Sequence, residues 1–91
     1  MRRFVIEREI PKVGSMDGQQ LKAAAAKSNA ALAQLSPEIQ WEHSYVVGDK
    51  TFCIYMAKDE AVIRKHAEIS GFPANRITEV RNVIDPMTAS R

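Results

Sequence analysis

Ninety-one residues with a formal charge of +2, 45% hydrophobic and 26% charged, describe one ordinary globular domain with a modest core. The basic residues are scattered with no aromatic-interleaved basic block, so nucleic-acid binding is not expected. No apolar run is long enough to span a bilayer and the N-terminus has no apolar leader, so no membrane partner is expected. A single cysteine makes no internal disulfide, which fits a reducing compartment and a cytoplasmic location.

Arg2–Ile10 reads as a first strand, with Phe4, Ile6 and Arg8 on one side and Val5, Glu7 and Glu9 on the other. Pro11 ends it, and Gly14 and Ser15 loosen the connection. Met16–Leu35 is the clearest helix. Asp17 with Gln20 three residues on forms a capping-box pattern, and Leu21, Ala25, Ser28, Leu32 and Leu35 recur at helical spacing. Its run of alanines makes it slim, and Ser36-Pro37 stops it.

Trp41–Val47 and Lys50–Met56 flank Gly48-Asp49, the pattern of a tight two-residue hairpin. That turn predicts the pairs Val47 with Lys50, Tyr45 with Phe52, His43 with Ile54 and Trp41 with Met56. On the other face Val46 meets Thr51, Ser44 meets Cys53 and Glu42 meets Tyr55. Asp59–Ser70 reads as a second helix, capped by Asp59 and closed by Gly71, with His66 near the middle of its apolar arc. Arg76–Ile84 alternates as a last strand, followed by a small polar tail. Domain bounds of 1–86, with 87–91 as a flexible tail, follow.

The order β-α-β-β-α-β, with right-handed crossovers, gives an α+β ferredoxin-like sandwich: a four-stranded antiparallel sheet with both helices on one face. The helix-free face is expected to pair with a second copy, giving a homodimer. The slim first helix favours Phe4, Ile6, Phe52 and Ile54 beneath the helices, leaving Glu7, Cys53 and Tyr55 on the open face. The alternative places His43 in the dimer cavity.

The segments Trp41–Val46, Lys50–Tyr55 and Arg76–Val83, with Val5–Arg8, Gly71–Pro73 and Asp85-Pro86, resemble a bacterial family of small ferredoxin-like proteins of unassigned activity. One relative in that family is a nickel-binding dimer, so the resemblance implies metal binding. The tail Met87–Arg91 departs from the aromatic ending common in relatives.

Four residues are the candidate metal ligands: His43, His66, Glu7 and Cys53. A neutral imidazole binds borderline divalent ions, and two histidines converging beneath a helix would suit Ni²⁺, Zn²⁺ or Cu²⁺. The competing explanations are a hydrogen-bonded buried histidine for His66 and a small buried hydrophobe for Cys53. Glu79 and Arg81 are expected in cross-strand charge pairs. The leading expectation is a small nickel-binding protein. Its rivals are a cofactor-free α+β barrel enzyme, a monooxygenase or isomerase acting on a small organic molecule in an apolar cavity, and a module whose open sheet docks another protein.

Overall fold

The computed structural model describes residues 1–91. Strand β1 (Arg2–Glu9) leads through a single 3-10 turn into helix α1 (Gly18–Leu35). The hairpin of β2 (Ile39–Val46) and β3 (Lys50–Ala57) follows, then helix α2 (Glu60–Ser70) and strand β4 (Arg76–Glu79). The strands form one antiparallel sheet in the order β2-β3-β1-β4, the ferredoxin-like arrangement expected from the element order. No helix is long and apolar enough to cross a membrane.

Local chemistry sets the helix ends. The Asp17 carboxylate accepts from the Gln20 amide at 2.9 Å and the Gln20 side chain accepts from the Asp17 amide at 3.0 Å, the reciprocal capping box. Asp59 accepts from the Val62 amide at 3.0 Å to start α2. Gly71 ends it at φ 79°, a left-handed conformation costly for any residue with a Cβ.

The connection between β1 and α1 is tied to the hairpin turn by hydrogen bonds outside the sheet ladder. Gly14 donates to the Gly48 carbonyl at 2.9 Å, and Asp49 accepts from the Lys12 amide at 2.9 Å. A Cβ on Gly14 would collide with the Val47 carbonyl oxygen and lie 2.9 Å from the Gly48 Cα. The connection is therefore a close-packed junction with the hairpin turn, where the sequence suggested a loose one.

The core lies between the sheet and the helices and includes Phe4, Ile6, Ile39, Tyr55, Val62 and Ile63. Ile6 and Ile63 have no exposure, and each full burial is worth roughly 1.5–3 kcal/mol. A one-residue slip of β1 would bring Val5 and Glu7 inward instead, so burial fixes its register.

That register decides the sheet's faces. Phe4 lies opposite Tyr55 and Ile6 opposite Cys53, so all four share the helix-covered face. The expectation that Phe52 and Ile54 lie beneath the helices is corrected: they sit on the open face with Val5 and Glu7, and Cys53 and Tyr55 are buried beneath the helices.

The hairpin pairs as predicted from Val46–Thr51 to His43–Ile54, and the Val47 amide bonds the Lys50 carbonyl at 3.0 Å. An irregularity between Trp41 and His43 then shifts the register by one residue. Trp41 pairs with Tyr55, not Met56, and moves to the helix-covered face, and Glu42 does not pair with Tyr55.

Strand β4 is shorter than Arg76–Ile84. Its last ladder partner is Glu79, although the Val80 amide still reaches the Arg3 carbonyl at 2.8 Å. Beyond it, Asp85 and Thr88 form a second capping box that starts an exposed 3-10 turn, Pro86–Ser90. Arg2 and Glu79 pair at 2.8 Å, the cross-strand charge contact expected for Glu79.

Candidate functional site

The two faces of the sheet carry different chemistry. On the open face His43 is exposed, and its Nε2 lies 3.1 Å from the Tyr45 hydroxyl with the rings edge-on. The register places Val5, Ile54 and His43 in one row and Glu7, Phe52 and Tyr45 in the next. The irregularity in β2 frees Glu42 from pairing, and its carboxylate accepts from Arg3 Nε at 3.0 Å. Arg3 shares the open face with Val5 and Glu7 by strand alternation, so Glu42 reaches the same side as His43. Glu7 lies 3.8 Å from Lys50 Nζ. Both ion pairs are partly exposed, which limits each to about 0–1 kcal/mol.

Beneath the helices a row of polar groups crosses the apolar core. His66 on α2 is fully buried, with Nε2 3.2 Å from Ser28 Oγ on α1. Ser28 Oγ lies 3.4 Å from the Tyr55 hydroxyl on β3, and the Tyr55 and His66 rings are 5.3 Å apart. His66 Nδ1 has no hydrogen-bond partner. A neutral ring with its proton on Nε2 leaves only a lone pair unsatisfied there, which costs less than an orphaned N–H or a buried cation. Burial, reinforced by the Arg8 cation and opposed by a hydrogen bond with Ser28, lowers the His66 pKa from the ordinary 6.5. Burial likewise raises the Tyr55 pKa above 10, while Ser28 and Arg8 pull the other way.

Arg8 is the unusual member of this row. It is 2% exposed and donates through Nη1 to the Pro73 carbonyl at 2.7 Å, and its Nη2 has no partner. No carboxylate pairs with it. Its Cζ lies 5.9 Å from the centre of the Tyr55 ring and 6.0 Å from that of Phe72. The sequence placed Arg8 on the Phe4–Ile6 side of β1 but gave no signal that the charge would be enclosed without a counterion.

A cavity of about 270 Å³ opens beside this row, between α1 and the sheet. Small side chains create it: Ala24, Ala25 and Ser28 on α1 face Ser44, Thr51 and Cys53 on the hairpin. The slim helix leaves space that larger residues would fill. Trp41 also lines it, donating from Nε1 to Ser44 Oγ at 2.9 Å and stacked on Tyr55. The rest of the wall is largely apolar, and no histidine or glutamate lines it.

The four predicted ligands therefore separate. His43 and Glu7 share the open face, whereas Cys53 and His66 lie beneath the helices, with Cys53 Sγ 3.4 Å from Thr51 Oγ1. His43 and His66 do not converge, because the sheet stands between them. No group of three or more His, Cys, Asp or Glu side chains within the chain could hold a metal ion.

A family model described as "Nickel responsive protein SCO4226-like" matches residues 4–80. The chain belongs to the SCO4226-like nickel responsive protein family. The match spans all four strands and both helices save the first residues of β1. The fold is similar to the crystal structure of SCO4226 from Streptomyces coelicolor A3(2), with a TM-score of 0.71 at 21% identity. The likeness covers 90% of this chain and 99% of that one. No curated protein matches.

Proposed function

We propose that this protein binds nickel, or a similar divalent transition ion such as Zn²⁺ or Cu²⁺, on the open face of its sheet, with His43 as the principal ligand. The observation that carries this reading is an exposed imidazole on a half-apolar sheet face, in a family whose name is nickel responsive. Imidazole nitrogen with carboxylate or water oxygen suits a borderline divalent ion. Glu42 and Glu7 are the carboxylates on that face, each held by a weak surface ion pair that a metal ion can outcompete. One chain gathers too few donors, so a second copy packed on the same face completes the ligand set. Val5, Phe52, Ile54 and Met56, only partly covered in one chain, are the apolar centre of that contact. Buried His66 and Cys53 take no part. The protein works in the cytoplasm, where a free thiol persists.

The test is nickel titration by calorimetry of tag-free protein, His43→Ala and His66→Ala, with sedimentation of each. Stoichiometric binding weakened in His43→Ala and retained in His66→Ala, by a dimer, is the expected result. Unchanged nickel affinity in His43→Ala sinks the assignment.

A further inference from the structure

The cavity beneath α1 is independent of the open-face histidine, and its wall carries an unexplained charge. Arg8 lines it, is buried, makes one hydrogen bond, and keeps Nη2 without a partner or any carboxylate nearby. A buried guanidinium is ordinarily paired, because leaving it uncompensated costs several kcal/mol. The flanking Tyr55 and Phe72 rings return only part of that cost. We infer that the cavity is a binding site for a small apolar monocarboxylate, its carboxylate on Arg8 and its hydrocarbon or aromatic body between α1 and the hairpin.

The wall selects this class of ligand. No Asp, Glu, Lys or His lines the cavity, so its formal charge is that of Arg8 alone, which suits one negative charge. A cation would find no counter-charge. A phosphate dianion would exchange full hydration for one guanidinium and a few hydroxyls in an otherwise apolar chamber. A carboxylate needs fewer donors, and Ser28 and Tyr55 line the same cavity as Arg8, their hydroxyls 3.4 Å apart. The volume of about 270 Å³ falls just under the roughly 300–1,000 Å³ of typical ligand pockets, which limits the body to the size of a phenylacetate or an octanoate. Phe72, half-buried on the segment after α2, also lines the cavity. Its ring lies between two cations, with Arg8 Cζ at 6.0 Å and Lys27 Nζ at 5.2 Å from its centre. Arg8 is enclosed, so binding requires the wall beside it to open, and the Lys27 charge favours the approach of an anion.

The chain's single tryptophan, Trp41, lines the cavity and supplies the readout. Octanoate and phenylacetate are titrated against the full chain by Trp41 fluorescence and calorimetry, with 1-octanol and 2-phenylethanol as uncharged counterparts. Two variants accompany it: Arg8→Met, which removes the charge, and Ala25→Leu, which fills the cavity and keeps Arg8. Saturable binding of at least one acid is expected, about tenfold or more tighter than its alcohol, and lost or strongly weakened in Ala25→Leu. Arg8→Met, where it folds, binds acid and alcohol alike. Absence of saturable binding by both acids, equal affinity for acid and alcohol in the wild type, or acid binding unchanged by Ala25→Leu would each overturn the assignment.

Discussion

His66 makes the fold's stability depend on pH in a window where most other side chains are silent. Its ring is fully enclosed by α1, α2 and the sheet, beside the Arg8 cation, the Tyr55 ring and Ser28, with no carboxylate to welcome a proton. The folded-state pKa is lowered from 6.5, so the unfolded chain takes up a proton before the folded chain does. Stability from this residue is therefore fully present above pH 6.5 and is lost as pH falls from there toward the folded value. The loss has a ceiling of about 1.4 kcal/mol for each unit below the unfolded pKa. Going from pH 7.5 to 5.5 should then lower stability by up to that amount. Against a total of about 5–15 kcal/mol for a small domain this is a measurable share. Urea unfolding at half-unit steps across the window gives the slope directly, and the same series on His66→Gln isolates the residue. The variant should be flatter than the wild type. A wild-type protein equally stable at pH 7.5 and 5.5, or a His66→Gln series that keeps the full slope, would refute the account of a neutral, buried ring.

Two further substitutions probe the scaffold. Gly14→Ala should destabilise by about 1–3 kcal/mol, the usual cost of overpacking, because its Cβ meets the Val47 carbonyl and the turn backbone, which cannot rotate aside; a urea midpoint unchanged from the wild type would show that the junction yields freely. Asp59→Ala removes the acceptor for the Val62 amide and should cost about 1 kcal/mol, while Asp59→Asn should recover most of it. Equal losses for the two would mean that Asp59 acts by its charge and not as a hydrogen-bond cap.

The candidate sites were only half legible in the chain. His43 could be singled out because a histidine in an alternating β-run must face one side with Tyr45, and a two-residue turn fixes which partners it meets. His66 could be placed on the inner arc of α2 from helical spacing, and it is buried there. Whether these two meet was not written in either segment, and the sheet separates them. Arg8 was visible as an inward-facing position on β1, yet its isolation depends on what β3, α1 and the Pro73 carbonyl bring alongside. The cavity follows from small residues far apart in sequence, Ala24 and Ala25 against Ser44, Thr51 and Cys53, and a list of small residues does not say which of them oppose one another.

Local rules determined the rest. Both helices begin at their acidic caps and α2 ends at Gly71, because capping is chemistry between residues three or four apart. The hairpin's turn and first pairs follow from Gly48-Asp49, and the element order alone restricts the topology to a ferredoxin-like sheet. Tertiary structure decided the register of β1 against β3, and with it which face of the hairpin is buried. It also decided the slip near Glu42 that turns Trp41 inward and leaves Glu42 with Arg3. Both depend on which arrangement buries the most apolar surface against the helices, a sum over contacts distant in sequence that no single stretch of the chain encodes.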